Sequence, residues 1–169
     1  MAHNPFPIPK KYLSSSAQAA LGRVKSEALR KYVANWDGAS GVAILGDTGT
    51  GKSLCAAVAC ERVRSKAGTD GFVKWIRADE LTRLLQERSG SDLIGLVKVA
   101  RVLVIDEVGY ERWPETLLEV IGSRYDHERP TVLTTGLKED AFALRYSDAT
   151  IRRISETGNG IVVNCWGKS

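Results

Sequence analysis

The chain has few cysteines and histidines and no long apolar run, so it has little from which to build a disulfide framework, a zinc site or a membrane span. It holds three cysteines and two histidines in 169 residues, and no two cysteines have the C-x-x-C spacing. Cys55 and Cys60 are five residues apart on a predicted helix, so they face different sides and are expected to be packed thiols. No apolar run approaches the roughly 20 residues of a transmembrane helix, and the N-terminus lacks the apolar core of a signal peptide. These absences predict a cytoplasmic protein without a zinc site or a membrane anchor.

The composition is that of an ordinary soluble domain. Hydrophobic residues make up 43% of the chain and charged residues 26%. A chain of this length is most simply one domain, large enough to bury about 70% of its unfolded surface. The net charge of +4 is unevenly placed, because the first 36 residues hold six basic residues and one acid. Such a basic segment can follow a phosphate backbone, and it can equally be a solvated helix face.

Residues 46–53 carry the most informative pattern. They spell G-D-T-G-T-G-K-S, which fits G-x-x-x-x-G-K-[ST], between an apolar run at 41–45 and a helix-forming run at 54–64. The glycines let several backbone N–H groups converge on one anion, and the helix N-terminus adds a partial positive charge. A plain glycine-rich turn is the alternative, and the strand and helix on either side make it the weaker one. The predicted phosphate-binding residues are Gly46, Asp47, Thr48, Gly49, Thr50, Gly51, Lys52, Ser53 and Leu54.

Two side chains of this loop and two acidic residues later in the chain are predicted to bind or hydrolyse a nucleotide. Lys52 is expected to contact the β and γ phosphates, and Ser53 to offer its hydroxyl to Mg²⁺. Residues 101–107, R-V-L-V-I-D-E, predict a buried parallel strand, and ligands bind at the carboxyl ends of such strands. Asp106 is expected to hold Mg²⁺ through its water shell, and Glu107 to polarise a water for attack on the γ phosphate. Acids often end strands, so this second pattern is informative mainly because it follows the first.

The rest of the chain alternates predicted strands and helices. Three prolines within residues 1–13 predict an extended arm, and a serine at 14, 15 or 16 is expected to cap a helix that runs to about residue 36. Each strand is followed by a helix, which favours a parallel sheet covered on both faces. The other predicted strands are 72–76, 131–135 and 160–164. The other predicted helices are 80–88 with Asp79 as cap, 92–100, 115–125 with Pro114 in the first turn, 141–144 and 148–155, with a turn at 66–71 and a break at 89–91.

With both motifs in place, the sequence resembles the AAA+ ATPases of the DnaC/DnaI helicase-loader and IstB transposition-helper group. The resemblance runs from about residue 8 to residue 166, and its specific parts are 46–53, 102–109, G-S-R-Y at 122–125, T-V-L-T-T at 131–135 and R-R-I-S-E at 152–156. It implies an α/β fold: a P-loop NTPase of the ASCE/AAA+ type, with three α/β/α layers and a five-stranded parallel sheet in the order 5-1-4-3-2. The resemblance thus makes 14–169 a single AAA+ domain behind the arm.

Few residues follow the fifth strand, so we expect no substantial lid domain. The partner-binding N-terminal domain that such loaders usually carry is also missing from the sequence. The chain is then either a trimmed form or a minimal form whose short N-terminal arm recruits the partner.

The resemblance also implies a polar sensor just after the fourth strand. That position is Gly136 here, whereas the group usually has a polar residue, commonly asparagine. The sensor role then falls to Thr134 or Thr135 or is weakened, and ordinary strand packing explains a threonine there equally well. Thr135 is counted among the catalytic candidates. This departure puts efficient hydrolysis in question more than nucleotide binding.

AAA+ subunits generally complete one another's sites with an arginine that reaches the γ phosphate. Arg153 best matches this arginine finger, and Arg152 is its near rival. Arg124 is a further candidate for an intersubunit contact, although an arginine on an exposed helix is an equally good explanation. If the finger assignment is right, a monomer hydrolyses ATP poorly.

The sequence predicts an enzyme that binds ATP and Mg²⁺, hydrolyses ATP slowly, and uses the nucleotide to set its own homo-oligomeric assembly. The expected partners are single-stranded DNA, bound without sequence preference, or a replicative helicase. The alternative is a nucleotide-gated assembly or regulatory protein, such as an IstB-like transposition helper or a weak ATP switch, and Gly136 favours it slightly. A small-molecule kinase is disfavoured because the residues after Gly136 contain too little for an arginine-rich lid.

Overall fold

The computed structural model describes residues 4–69, 72–87 and 91–167. The predicted turn at 66–71, the end of the predicted helix at 88 and the predicted break at 89–91 fall wholly or partly outside these ranges. The strands are β1 (Val42–Gly46), β2 (Val73–Arg77), β3 (Val102–Val108), β4 (Thr131–Thr135) and β5 (Ile161–Cys165). The helices are α1 (Ser15–Leu21), α2 (Glu27–Asn35), α3 (Lys52–Ala67), α4 (Ala78–Gln86), α5 (Ser91–Val99), α6 (Pro114–Asp126), α7 (Glu139–Tyr146) and α8 (Asp148–Glu156).

The five strands form one parallel sheet in the order β2-β3-β4-β1-β5. This is the predicted order 5-1-4-3-2 viewed from the other edge, so the predicted sheet is confirmed. The central strand β1 pairs with β4 on one side and β5 on the other, and all of its residues are buried. A parallel strand covered on both faces must be apolar throughout, which explains the continuous run at 41–45. The carboxyl ends of β1, β3 and β4 therefore lie side by side.

Helices cover both faces of the sheet and form two apolar cores. Alternate residues of β1 point to opposite faces, with Val42 and Ile44 in one core and Ala43 and Leu45 in the other. The first core packs against α2 and α3, and the second against α4, α6, α7 and α8. The predicted three-layer arrangement is confirmed. After β5, the described residues include no lid domain.

The predicted single helix from residue 14 to residue 36 is wrong, because two helices occupy this stretch. Ser14 caps α1 by accepting the N–H of Ala17, and Ser26 caps α2 by accepting the N–H of Leu29, each at 3.3 Å. Because the Ser26 side chain can cap the N-terminus of a new helix, a second helix starts there and the first one does not continue. The chain between the two helices brings the buried Val24 against the site described below.

The N-terminal segment lies on the edge of the sheet. Phe6 and Ile8 are buried, and the N–H of Trp75 in β2 donates to the carbonyl of Phe6 at 2.9 Å. The side-chain amide of Asn4 donates to the carbonyl of Val73 at 3.2 Å. A short 3-10 helix follows at Lys10–Tyr12. The described part of the segment thus covers an edge strand that would otherwise present unpaired backbone groups.

The remaining helix bounds differ little from the predictions. Helix α4 begins at Ala78, so Asp79 lies in its first turn and does not cap it. Helix α7 is longer than the predicted 141–144, and the acids Glu139 and Asp140 in its first turn favour the helix N-terminus. Within the described residues, no helix is both long enough and apolar enough to cross a membrane.

The cysteines are buried and unpaired, as the spacing predicted for two of them. Cys55 and Cys60 lie in the first core. Burial raises the pKa of Cys55 to about 12 and the pKa of Cys60 still further. Cys165 is also buried, at the end of β5. These thiols pack as small apolar side chains.

Candidate nucleotide-binding site

The predicted phosphate loop connects the central strand β1 to α3. Gly51 is the N-cap of α3 with φ 92°, a left-handed conformation that favours glycine. Gly46 ends β1, where an added Cβ would lie 2.3 Å from the sulfur of Cys165. The Cys165 thiol donates to the carbonyl of Leu45 at 3.2 Å, and the N–H of Gly167 donates to Asp47 at 3.0 Å. The end of β5 therefore packs against the loop and supports it, and the absence of a side chain at Gly46 permits this close approach.

Lys52 projects across the loop that precedes it. Its Nζ donates to the carbonyls of Gly46 and Asp47, both at 2.7 Å. Burial lowers the pKa of Lys52, while nearby anionic groups, Asp106 and Glu107 among them, act in the opposite direction. The ammonium group thus lies at the centre of the loop, where phosphate oxygens can replace the two carbonyls as its acceptors.

A second group of side chains meets where α3, β3 and β4 adjoin. The hydroxyls of Ser53 and Thr134 both donate to Oδ1 of Asp106 at 2.6 Å, and Asp106 is only 3% exposed. Mg²⁺ prefers hard oxygen ligands and takes few of them from protein. A hydroxyl and a carboxylate beside a phosphate loop fit that preference. Among the described residues no cluster of three or more His, Cys, Asp or Glu forms an all-protein metal site. The predicted pair Ser53 and Asp106 is therefore brought together, in a form suited to a metal that phosphates help to hold.

A bulge in β3 sets the direction of the Glu107 side chain. The register between β3 and β4 shifts between Ile105 and Val108, and Glu107 adopts φ 57°. Such bulges turn a side chain out of the regular alternation of a strand. The N–H of Glu107 donates to the Thr134 hydroxyl at 3.0 Å, which holds the unusual backbone conformation. Thr134 therefore contacts both acids of the site.

Arg77 is a partner of Glu107 that the sequence did not reveal. Its guanidinium lies 3.0 Å from the Glu107 carboxylate, and both side chains are about half exposed. The pKa of Arg77 is raised, first by its hydrogen bond to Asp79 and less strongly by Glu107. An exposed pair of this kind contributes little to stability, and here it gives the Glu107 carboxylate a cationic neighbour outside the phosphate loop. Arg77 is the strand neighbour of Asp106 at the end of β2, so strand order and register together would have pointed to it.

A cavity of about 640 Å³ joins these elements. A nucleotide is within the size range of ligands that such cavities hold. One wall is the loop and the start of α3, and a second wall is formed by Glu107, Tyr110 and residues 134–136. The third wall comes from the N-terminal region, through Tyr12, Ala20, Arg23 and Val24. Sequence reasoning missed Tyr110 and the N-terminal wall, because no local motif marks them.

The two candidate sensor threonines differ in their contacts. The Thr135 hydroxyl donates to the carbonyl of Val108 at 2.7 Å and accepts the N–H of Leu137 at 3.0 Å. These backbone contacts occupy the Thr135 hydroxyl, and its catalytic role stays a prediction. Thr134 instead contacts Asp106 and Glu107. Of the two candidates, Thr134 is therefore the one whose hydroxyl contacts both acids.

The prediction for Arg124 needs correction, because its side chain is fully buried. It donates to four backbone carbonyls and to the hydroxyl of Thr131, at distances of 2.6 to 3.1 Å. It is therefore neither an arginine on an exposed helix nor available to a neighbouring subunit. Arg152 and Arg153 are exposed on α8, where Arg153 lies over the ring of Tyr125 at 6.0 Å. Both stay predicted candidates for an intersubunit contact, and neither lines the cavity.

A parallel sheet with G-x-x-x-x-G-K-S between its central strand and a helix, and a buried acid at the end of a nearby strand, defines a P-loop nucleotide-binding protein. The profile of the family described as IstB-like ATP binding protein matches residues 17–154. The chain belongs to this family and is an AAA+ protein of the DnaC/IstB type. Among curated proteins no sequence matches the chain significantly.

Solved structures agree with the fold. The chain is similar to the DnaC helicase loader, with TM-score 0.64 and 22% identity over 89% of this chain and 90% of that one. It is similar to DnaI, with TM-score 0.65 and 17% identity over 92% and 90% of the two chains. AMPPCP-bound DnaA from Aquifex aeolicus gives TM-score 0.58 and 22% identity over 82% of this chain and 44% of that one. At these identities the likeness shows the fold alone.

Proposed function

We propose that this protein is a slow ATPase whose nucleotide state sets its own assembly on DNA or on a replicative helicase. The observation that carries the proposal is that Lys52, Ser53 and Glu107 line one cavity and that Asp106 accepts the hydroxyl of Ser53 there. Loop amides alone would suit many anions. A metal-binding pair and a separate carboxylate on the same cavity are what hydrolysis of a triphosphate needs.

In this proposal each residue of the site has a separate role in binding or hydrolysing ATP. The amides of residues 48–53 and the Lys52 ammonium bind the phosphates, and Ser53 and Asp106 would hold Mg²⁺. When bound, Mg²⁺ would neutralise charge that develops on the phosphate oxygens in the transition state. Glu107 orients the attacking water and accepts its proton, and Arg77 restrains the Glu107 carboxylate until water and nucleotide are in place. Thr134 keeps both acids in position through its hydrogen bonds with Asp106 and with the backbone of Glu107.

Slow turnover and self-assembly are linked in this proposal. The described residues that line the cavity include one arginine, Arg23, which belongs to the N-terminal wall. Arg152 and Arg153 are exposed on α8 and do not line the cavity, and Arg153 remains the better candidate to act on a neighbouring subunit. An arginine supplied in this way can raise phosphoryl transfer by about 10³ to 10⁵. A dilute monomer would therefore bind ATP and turn it over poorly.

The partner is proposed from charge and from family. Six basic residues of the first 36, at positions 10, 11, 23, 25, 30 and 31, are all exposed. An exposed basic surface can follow a phosphate backbone, and its binding weakens steeply as salt rises. The named loaders DnaC and DnaI make a replicative helicase the other candidate partner. The resemblance to IstB transposition helpers equally allows a role in transposition.

A second candidate function is a nucleotide-gated assembly protein without useful turnover. Gly136 favours it, since this cavity position carries no polar side chain. Phosphate release should be measured at high protein concentration with and without single-stranded DNA, with Glu107→Gln as the inactive control. Release that rises with protein concentration and is lost in Glu107→Gln supports the ATPase. ATP-dependent assembly with no release above the control supports the second function, and no nucleotide binding at all refutes both.

A further inference from the structure

Tyr110 is an exposed aromatic residue at the mouth of the nucleotide cavity. It follows β3 by two residues, its side chain is 73% exposed, and it lines the same cavity as Lys52 and Glu107. Its hydroxyl makes no hydrogen bond to any residue that the structure describes. An exposed tyrosine is unremarkable by itself. Two further observations set this one apart.

The first is that both neighbours of Tyr110 are anchored. Gly109 has φ 131°, and an added Cβ there would lie 2.9 Å from the side chain of Leu137. Its N–H donates to the Glu111 carboxylate at 3.0 Å, and Glu111 is only 2% exposed. The same carboxylate accepts the hydroxyl of Tyr146 and lies 3.6 Å from Arg145. A buried carboxylate with three partners therefore holds the backbone on either side of an exposed ring.

The second observation is where the ring ends. A Cβ added at Gly136 would lie 3.4 Å from the Tyr110 hydroxyl and 4.0 Å from the carbonyl of Gly46. That carbonyl accepts the Lys52 ammonium at 2.7 Å. The Tyr110 hydroxyl and the phosphate loop thus face each other across the space that Gly136 leaves open.

The other hydroxyls on this side of the cavity already have acceptors. Those of Ser53 and Thr134 donate to Asp106, and that of Thr135 donates to the carbonyl of Val108. Among the described residues of this wall, Tyr110 carries the hydroxyl that donates a hydrogen bond to no other residue. Resting on the function proposed above, we propose that Tyr110 donates a hydrogen bond to the terminal phosphate of bound ATP. It thereby distinguishes ATP from ADP.

The test is the preference for ATP over ADP in Tyr110→Phe. A hydrogen bond to a charged acceptor is worth more than a neutral one, and solvent at this exposed position reduces its value. We expect the ratio of affinities for a non-hydrolysable ATP analogue and ADP to fall about 5- to 10-fold. The affinity for ADP should stay within about twofold, because ADP lacks the group that is recognised. Titration calorimetry with Mg²⁺ present measures both dissociation constants. Because the Tyr110 ring is exposed, we expect the variant to fold normally.

Two further variants sharpen the test. Tyr125→Phe removes a tyrosine hydroxyl that donates to Glu156 outside the cavity, and it should leave the ratio unchanged. Tyr110→Phe combined with Gly136→Ser returns a hydroxyl to the open space from the strand side. Gly136 does not need a left-handed conformation, so serine fits there. We expect this double variant to recover part of the lost preference.

The remaining outcomes overturn the inference. An unchanged ratio in Tyr110→Phe, with normal binding of both nucleotides, removes Tyr110 from phosphate recognition and leaves the proposed ATPase intact. An equal loss of ATP and ADP affinity assigns Tyr110 to general packing of the site. An unchanged ratio with altered oligomerisation in Tyr110→Ala makes it a surface contact between subunits. Absence of any nucleotide binding by the unmodified protein defeats the proposed function, and Tyr110 with it.

Discussion

Replacing Arg124 with methionine tests the structural role that burial assigns to this arginine. Its guanidinium donates to the carbonyls of Val97 and Lys98, which belong to the last turn of α5, and to that of Ala100 just beyond. The last carbonyls of a helix have no partner within it, so Arg124 caps α5. It also donates to the carbonyl of Pro130 and the hydroxyl of Thr131, where β4 begins. One side chain therefore joins α5, α6 and β4.

The size of the effect follows from these contacts. Burial lowers the pKa of Arg124 to about 9, so the group is still charged at neutral pH. Methionine would leave several buried carbonyls without a donor, at about 1–3 kcal/mol for each group that water cannot reach. Relief of the cost of burying a charge offsets part of this loss. We expect a net destabilisation of about 3–5 kcal/mol, which lowers the melting temperature by roughly 10 °C in a domain of this size.

Urea or thermal unfolding measures the change, and Arg129→Met is the matched control. Arg129 donates to the same Lys98 carbonyl at 3.1 Å but is only partly buried, so its replacement should cost under about 1 kcal/mol. If Arg124→Met unfolded like the parent protein and instead lost assembly or turnover, the structural assignment would be refuted. The intersubunit role would then return.

Three further predictions concern the site. Glu107→Gln should bind the ATP analogue normally and release phosphate at least about 100-fold more slowly, since general base catalysis typically contributes 10² to 10⁴; unchanged release would remove Glu107 from its role. Saturating ATP at about 100 times its Kd should stabilise the parent protein by about 2.7 kcal/mol, and Lys52→Ala should abolish that rise in melting temperature; a persisting rise would contradict the role of the loop lysine. Thr134→Val should lower turnover by about 10-fold or more, because both acids lose a contact, whereas Thr135→Val should mainly lower stability, by about 1 kcal/mol; the reverse pattern would restore Thr135 as the catalytic threonine.

Most of the fold and the centre of the site could be predicted from local patterns. The glycine spacing at 46–51 and the apolar strand that ends at Asp106 each identify a short element whose conformation depends mainly on its own residues. Alternation of strand and helix then restricts the topology to a covered parallel sheet. The serine at 26 is also a local signal for the start of a second helix, but the apolar spacing that continues through it favours one long helix.

Local residue patterns are enough to identify the strand before the phosphate loop, the strand that ends in the acids and the helix that begins with the lysine. Which side chains meet depends on the three-dimensional packing. Arg77 reaches Glu107, Thr134 rather than Thr135 reaches Asp106, and Tyr110 faces Gly136. Each of these contacts joins residues that are distant in the chain, so it depends on strand order, register and the bulge in β3. Local patterns specify the conformation of a segment, whereas the distance between two segments is set by the packing of the whole sheet.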